Sequence, residues 1–349
     1  MKVDLLDDPQ AMAIRDPEGM LQAILDLPAQ CRRAWQEAQA LHLPYKGLER
    51  MVVLGMGGSA IAADYLAAIC PRPVVAVRGY QLPPWVDDRT LVVASSYSGQ
   101  TEETVSAFQE ALASTAPKVV LTSGGHLLSL AQEHAIPAFV ISYKGQPRAA
   151  LGYSLMPLLA IAQKVGLSDD LGPQVEEALA LAEREAQALG PGGPDHRARD
   201  LARRLHGRLP VAYAAQHLVP VARRFKTQLN ENAKAWAFFE ELPEADHNAV
   251  LAYRIPQAVA RLTLLVFIRA EGLHPRVEMR YRLTRRLAEE TGVETVELTA
   301  PGSSPLAQML SATVLCDLAS CYLAFLNDVD PTPVPEIDRL KGWMAHPPI

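Results

Sequence analysis

The stretch of the chain best suited to chemistry runs from Phe225 to Asn248 and reads FKTQLNENAKAWAFFEELPEADHN. It holds a carboxylate, Glu231, among polar neighbours inside an otherwise apolar amphipathic run, and it ends on His247 shortly after a break at Pro243. A carboxylate and an imidazole in one cleft can transfer protons to and from carbon and oxygen. Glu231 and His247 are therefore a candidate acid–base pair.

The apolar flanks of Glu231 predict that one side of a helix presses into a core. Leu229, Trp236 and Phe239 belong to that side, and residues 216–240 are predicted to form one long helix. His247 lies too far along the chain to be a neighbour of Glu231 on that helix. The two side chains can meet only if the chain folds back or if two subunits meet. The alternatives are a solvated helix charge for Glu231 and a loop histidine or helix cap for His247.

Two glycine- and serine-rich segments are candidate anion sites. Gly57-Gly58-Ser59 and the segment SSYSGQT (95–101) each follow a strand-like run and open a helix. Backbone N–H groups at a helix N-terminus suit a phosphate, and the second segment has more hydroxyls than one N-cap needs. The alternative for the first segment is a tight turn chosen for packing. The Walker lysine is absent, which argues against a nucleoside triphosphate.

Two basic residues are further candidates. Arg148 follows Gly145-Gln146-Pro147 where another strand leads into a helix, and a guanidinium there could stabilise a developing oxyanion. The alternative is a surface arginine. Lys341, in the segment IDRLK, is by itself an ordinary helix lysine.

The elements that must position these residues alternate between strands and helices. Residues 17–43 have helical periodicity, and strand-like runs follow at 51–56, 73–77, 90–96, 118–122 and 138–141. A long helix is predicted from Arg148 to about Val165, and another at 174–189. This alternation implies a parallel sheet covered on both faces, with ligands at the carboxyl ends of its strands.

The second half of the chain repeats the pattern after Gly190–Pro194, the clearest break. Strands are predicted at 209–213, 249–253, 262–267 and 294–298, and helices at 305–326 and 336–344. The predicted fold class is α/β, with two doubly wound parallel-sheet domains and an N-terminal helical segment. The predicted domains are residues 1–190, with the N-terminal helices and the phosphate-binding segments, and residues 195–349, with Glu231, His247 and a C-terminal helix.

The composition is that of an ordinary globular protein, with 349 residues of which 49% are hydrophobic and 21% charged. The net charge of −6 argues against nucleic acid and anionic membranes as partners. The N-terminus does not resemble a signal peptide, and no uninterrupted apolar run of about 18 residues predicts a membrane span. Four cysteines without CxxC spacing argue against a zinc site or disulfide framework and favour the cytoplasm: Cys31, Cys70, Cys316 and Cys321.

Six segments in matching order carry a family likeness: GMGGSAIAADYL (55–66), SSYSGQTEET (95–104), PRAALGYSL (147–155), FKTQLNENAK (225–234), PEADHN (243–248) and DPTPVPEIDRLK (330–341). They resemble segments of the archaeal and bacterial bifunctional phosphoglucose/phosphomannose isomerases, which are built from two sugar isomerase (SIS) domains of flavodoxin-like type. The likeness spans nearly the whole chain from about residue 48.

The resemblance implies a role for each candidate residue. It makes Glu231 the base that moves a proton between C2 and C1, His247 the ring-opening residue, Arg148 the charge that holds the enediolate, and Lys341 a group that positions sugar oxygens. The histidine of the family typically comes from the second subunit, so a homodimer is expected. No metal and no redox cofactor are implied. The sugar phosphate would be held by the two glycine-serine segments, through Gly58, Ser59, Ser96, Ser98 and Thr101.

The chain departs from the family pattern in one place. The family commonly reads His-Asn-Glu where this chain has His247-Asn248-Ala249. That glutamate could orient the histidine, so its absence bears on ring opening and on the identity of the substrate. A C-terminal threonine that the family links to mannose 6-phosphate could correspond to Thr332.

These observations predict an aldose–ketose isomerase that interconverts glucose 6-phosphate, and also mannose 6-phosphate, with fructose 6-phosphate through a cis-enediol. Two other functions stay open. One is a non-catalytic sugar-phosphate sensor, which the alanine at position 249 makes conceivable. The other is an SIS enzyme that acts on a different sugar phosphate, such as an amino-sugar phosphate.

Overall fold

The computed structural model describes residues 5–345 and begins with helices that confirm the predicted N-terminal helical segment. These are α1 (Pro9–Arg15), α2 (Met20–Leu25) and α3 (Leu27–Gln39). Aspartates start the first two helices: Asp8 accepts two backbone N–H groups of α1, and Asp16 accepts two of α2 at 2.7 Å. A carboxylate in this place satisfies free donors and complements the helix dipole.

The first sheet has five parallel strands in the order β2-β1-β3-β4-β5. The strands and the helices that follow them are β1 (Arg50–Leu54), α4 (Gly57–Ala67), β2 (Val74–Val77), β3 (Thr90–Ser95), α5 (Glu102–Leu112), β4 (Lys118–Thr122), α6 (Gly125–Glu133) and β5 (Ala138–Val140). β3 is buried along its whole length, because helices cover both faces of the sheet. The chain leaves β1 and β3 in opposite directions, so a crevice forms at their carboxyl ends.

The second sheet has four parallel strands in the order β7-β6-β8-β9. The remaining elements are α7 (Leu151–Lys164), α8 (Gly172–Leu189), α9 (Arg197–Leu205), β6 (Leu209–Ala215), α10 (Val219–Glu231), β7 (Phe238–Leu242), α11 (Gln257–Leu262), β8 (Thr263–Ala270), α12 (Pro275–Glu290), β9 (Glu294–Ala300), α13 (Pro305–Leu326) and α14 (Pro335–Ala345). Two parallel-sheet α/β units with N-terminal helices confirm the predicted fold class.

Helices join the two sheets into one hydrophobic core. α7 packs on α3 and α4, and α13 packs on α8, α9 and α10. The largest hydrophobic cluster includes residues of both sheets. The boundary predicted at residues 190–195 falls between α8 and α9, and it stays a prediction because α8 packs against the second half of the chain.

Within residues 5–345, one helix is long and apolar enough to cross a membrane by length and composition, namely α13. In its most apolar window, 94% of the residues are buried inside the protein. The helix also carries Asp317, which pairs with the buried Arg224 of α10. α13 is thus packed as the central core helix.

The long helix predicted around Glu231 was wrong at its C-terminal end. The helix predicted over 216–240 ends at Glu231, because Lys234 takes a left-handed backbone conformation with φ of 54° and the chain then joins the second sheet as β7. Trp236 is consequently not a core residue: it is 77% exposed and stacks on Phe238. Phe239 is half-buried on β7.

The strand predicted at 249–253 is instead a short 3-10 helix, Ala249–Ala252. The side chain of Asn248 accepts the N–H of Ala249 and starts this turn. Tyr253 then points inward and donates to Tyr213. A short apolar run of this kind is compatible with a strand or with a helical turn, and here the Asn248 cap favours the helical turn. The helix predicted from Arg148 begins at Leu151, after a 3-10 turn over Pro147–Ala149.

Candidate active site

The glycine-serine turn after β1 starts α4 next to the turn that carries Arg148. Gly57 has a φ of +48°, and a Cβ on Gly58 would lie 3.0 Å from the carbonyl oxygen of Pro147. Glycine therefore allows the two turns to approach backbone to backbone. Ser59 is buried in the first turn of α4, and no side chain caps this helix.

The loop SSYSGQT after β3 starts α5 and lies beside the glycine-serine turn that follows β1. The hydroxyls of Ser96 and Thr101 are 2.7 Å apart, and Ser96 Oγ also accepts the N–H of Gly99. Ser98 is exposed and accepts the N–H of Gln100. No side chain caps α5. Two neighbouring helices thus present uncapped N-termini at the carboxyl ends of β1 and β3, an arrangement that suits a phosphate.

Tyr97 ties this loop to the segment that precedes Arg148. Its hydroxyl donates to the carbonyl oxygen of Tyr143 at 3.0 Å and accepts the N–H of Gly145 at 3.1 Å. The side chain of Tyr97 therefore connects the candidate phosphate loop, SSYSGQT, to the segment that leads into Arg148. Sequence reasoning treated this tyrosine only as part of the loop.

Arg148 is a buried residue, not the surface arginine that was its alternative. Its side chain is 3% exposed, and its Nη1 lies 3.8 Å from Oε2 of Glu231. The guanidinium donates to the Oδ1 of Asn232 at 2.7 Å and to the carbonyl oxygens of Pro331 and Thr332 at 2.6 and 2.7 Å. Burial lowers the pKa of Arg148, while the charge of Glu231 acts in the opposite direction.

Glu231 is the last residue of α10, at the edge of an open cleft of about 400 Å³. Its side chain is 28% exposed. The ammonium of Lys234 donates to the backbone carbonyls of Glu231 and Pro331, which fixes the chain just beyond the helix. Burial lowers the pKa of Lys234. Residues of α10, the following turn and α14 line the cleft: Asn230, Glu231, Lys234, Ala235, Trp236, Val334, Glu336 and Ile337.

His247 and Lys341 are not brought to Glu231 within one chain. His247 is exposed at the end of a 3-10 turn that Asp246 anchors to α12 through Arg280 and Thr284. Lys341 is exposed on α14. Between residues 5 and 345, no hydrogen bond or ion pair joins either side chain to Glu231.

Lys341 shares a helix face with the cleft, since it lies four residues after Ile337. Thr332 lies closer to the arginine. It is 2% exposed, its carbonyl holds Arg148, and its hydroxyl has no hydrogen-bond partner in the described chain. A buried hydroxyl without a partner is unusual in a folded protein.

In the second sheet, a carboxylate occupies the start of α13, the helix that follows β9. Glu177 of α8 accepts the backbone N–H groups of Ser303 and Ser304, at the start of α13, at 2.7 and 3.1 Å. An anion would otherwise find its donors there. The candidate phosphate site at the first sheet rests on the uncapped starts of α4 and α5. In the described residues, no group of three His, Cys, Asp or Glu side chains could hold a metal ion.

Comparison with known proteins shows the family of the chain. A family model described as the bacterial phospho-glucose isomerase C-terminal SIS domain matches residues 195–344. The bifunctional phosphoglucose/phosphomannose isomerase of Caldicellulosiruptor bescii is 35% identical over 336 residues, which are 94% of this chain and 99% of that protein. This chain belongs to the bifunctional phosphoglucose/phosphomannose isomerase family. The family predicted from the sequence is confirmed.

Two further proteins are similar to this chain, one in sequence and one in structure. The D-glucosamine-6-phosphate 4-epimerase of Sulfolobus acidocaldarius is 31% identical over 64% of this phosphoglucose/phosphomannose isomerase family member and 70% of that protein. The crystal structure of a hypothetical protein of Thermus thermophilus superposes with a TM-score of 0.74 at 21% identity, covering 95% of this chain and 91% of the other. That structure shares the fold.

Proposed function

We propose that the protein interconverts glucose 6-phosphate and mannose 6-phosphate with fructose 6-phosphate. The observation that carries the proposal is the buried Arg148 held 3.8 Å from the partly exposed Glu231, next to two uncapped helix N-termini. The phosphate would bind at the helix N-termini through Gly58, Ser59, Ser96, Ser98 and Thr101. The first carbons of the sugar would then face Glu231.

In the proposed mechanism, His247 takes the proton of the C1 hydroxyl and returns it to the ring oxygen, which opens the pyranose. Glu231 then removes the proton from C2, the C1 carbonyl oxygen gains negative charge, and Arg148 stabilises that charge. Glu231 delivers its proton to C1 while the C2 hydroxyl becomes the carbonyl and its proton moves to O1. Lys341 would hold sugar oxygens.

Activity on both epimers follows from the chemistry of the intermediate. C2 is planar in the cis-enediol, so glucose and mannose 6-phosphates lead to the same species. Thr332 is the residue we propose for accommodating the mannose epimer. Its support is a buried hydroxyl without a partner, on a residue whose carbonyl contacts Arg148.

We also propose a homodimer in which His247 completes the site of the partner. The support is that His247 is exposed, away from Glu231, and followed by exposed apolar side chains: Leu251 is 84% and Ile255 80% exposed. Exposed apolar residues of this kind are typical of subunit interfaces. A cytoplasmic location is proposed because the four cysteines are free thiols.

Replacement of Glu231 by glutamine tests the catalytic proposal. The amide keeps the shape but cannot accept the carbon-bound proton, so the kcat for fructose 6-phosphate should fall by about 10²–10⁴-fold. Binding of a sugar phosphate, measured by calorimetry, should persist. Glu133→Gln, on the exposed face of α6, is the matched control. Unchanged turnover in Glu231→Gln would contradict the assignment.

A second candidate is an enzyme that acts on an amino-sugar phosphate, which the similarity to the D-glucosamine-6-phosphate 4-epimerase favours. Wild-type protein would be offered fructose, glucose, mannose and glucosamine 6-phosphates in parallel. Turnover of glucosamine 6-phosphate alone would select this candidate. Thermal stabilisation by sugar phosphates without any turnover would select the non-catalytic sensor.

A further inference from the structure

Two buried arginines, Arg148 and Arg224, lie next to each other, and the atoms that accept their hydrogen bonds differ in charge. Arg224 is 4% exposed, and its guanidinium pairs with both oxygens of Asp317, which is 2% exposed. It also donates to the backbone carbonyl of Arg148. Arg224 is thus neutralised by a buried carboxylate and acts as a fixed support for the Arg148 turn.

The guanidinium of Arg148 is held by neutral atoms instead. Its short hydrogen bonds go to the amide oxygen of Asn232 and to the backbone carbonyls of Pro331 and Thr332. A longer one, of 3.5 Å, goes to the side chain of Gln146. None of these acceptors carries a charge. Four neutral acceptors therefore fix the orientation of the guanidinium, and none of these four cancels its positive charge.

In the described part of the chain, the carboxylate within ion-pair distance of Arg148 is that of Glu231, and the charge of Asp330 acts from farther away. The Oε2 of Glu231 lies 3.8 Å from Nη1 of Arg148, beyond hydrogen-bond distance. The charge of Arg148 is thus directed to the edge of the cleft where Glu231 is exposed.

Asn232 differs from the backbone acceptors of Arg148 because a residue of the same shape, aspartate, would carry a negative charge there. It is fully buried, its Oδ1 faces Arg148, and its Nδ2 donates to Ser320 Oγ at 2.9 Å. Aspartate has the same outline. It could accept from Arg148 with one oxygen, but from Ser320 with the other only if that hydroxyl turned away from the backbone carbonyl of Asp317, to which it now donates at 2.7 Å. An aspartate here would form an ion pair with Arg148 at the cost of one hydrogen bond of Ser320, so the shape of the site alone does not exclude it.

We propose that Asn232 is a positioning residue whose neutral amide holds Arg148 in place without cancelling the positive charge that acts on the substrate. This inference rests on the proposed isomerase function, because it concerns the charge at C1 and C2 of the sugar. A carboxylate at this position would pair with the guanidinium and weaken its field where the enediolate forms.

The test compares Asn232→Asp with wild type in turnover and in the binding of two analogues. The kcat for fructose 6-phosphate should fall by at least ~10-fold, since losing a donor to oxyanion charge typically costs more than this. The KM should change little, because the proposed phosphate site lies at another loop, and the variant should stay folded, with its melting temperature lowered by no more than the loss of one Ser320 hydrogen bond explains. Asn327→Asp is the matched control: Asn327 bonds to the carbonyl of Ala233 and not to Arg148.

The analogues give a readout that does not depend on turnover. Arabinonate 5-phosphate carries a carboxylate where the enediolate charge forms, and arabinitol 5-phosphate has a neutral hydroxyl there. Asn232→Asp should weaken binding of the first at least ~10-fold more than binding of the second. Asn232→Ala, which removes the acceptor without adding charge, should weaken the first less than aspartate does.

The outcomes separate the inference from the proposed function. Equal loss for both analogues, or full kcat in Asn232→Asp, would show that Asn232 is merely structural and would overturn the inference. If wild type has no isomerase activity but the aspartate still discriminates between the analogues, the proposed function fails and the inference about Arg148 stands. If wild type binds neither analogue, both are wrong.

Discussion

Gly99 is the residue at which the candidate phosphate loop depends most directly on the absence of a side chain. Its φ is +65°, and a Cβ there would lie 1.9 Å from the carbonyl oxygen of Gly124. Gly125, with φ of +68°, faces the loop from the other side, where a Cβ would lie 2.4 Å from the carbonyl oxygen of Ser98. The loop and the start of α6 are thus packed backbone against backbone, which only glycine permits.

Gly99→Ala should therefore displace the loop and weaken sugar-phosphate binding. We expect the KM for fructose 6-phosphate to rise at least ~10-fold, because a shifted loop loses N–H donors to the phosphate. Steady-state kinetics and calorimetry with the substrate check this. Gly79→Ala is the control, since a Cβ there meets no atom within 4 Å. An unchanged KM would show that the phosphate binds elsewhere.

Among the elements, the contact between α8 and the N-terminus of α13 has a measurable consequence for stability. Glu177 accepts the N–H groups of Ser303 and Ser304. Hydrogen bonds from these two serines lower the pKa of Glu177 below its ordinary value of 4.5. The ionised carboxylate is thus favoured in the folded state, so its stabilising contribution is complete above about pH 4.5 and is lost as the pH falls through the lower folded pKa.

Glu177→Gln should lower the free energy of unfolding most near neutral pH. The difference from wild type should shrink below about pH 4.5, where the wild-type carboxylate becomes protonated as well. Urea unfolding at a series of pH values measures this. Glu176→Gln is the control, because the neighbouring Glu176 forms only an exposed pair with Arg32. A difference that stays constant with pH would contradict the assignment of the charge.

At the scale of the whole molecule, one chain does not contain a complete set of the candidate catalytic residues in one place. Arg148 and Glu231 come together between the sheets, whereas His247 lies on an exposed turn held to α12. In a symmetric dimer each site would take Glu231 from one subunit and His247 from the other. A site shared between subunits can therefore be tested without knowing which surfaces form the dimer interface.

Glu231→Gln and His247→Ala should each be inactive alone but complement each other when co-expressed. In a mixed dimer, one site would carry both substitutions and the other would carry neither. Random pairing would then restore about one quarter of wild-type activity. The measurement is turnover of fructose 6-phosphate by the purified mixture, with each single variant as its control. No recovery in mixed dimers would place His247 in its own subunit's site.

Much of the fold could be predicted because its signals are local. The strands of the first sheet are short apolar runs, and the glycine-serine segments follow two of them directly, so both candidate phosphate turns were placed correctly at the start of helices. The end of the helix that carries Glu231 was predicted nine residues too late, at 240 and not at Glu231, because a left-handed Lys234 and the pairing of β7 with β6 determine it.

The sequence by itself thus determined the parallel α/β architecture, the two candidate phosphate turns and the identity of the carboxylate near the cleft. Only the tertiary structure decided what surrounds Arg148. Its partners Asn232 and Pro331 lie 84 and 183 positions away along the chain, and the carboxylate at the start of α13 comes from another helix. The physical reason is that periodicity and turn chemistry are properties of neighbouring residues, whereas the charge balance of a buried group depends on whichever distant atoms the fold packs against it.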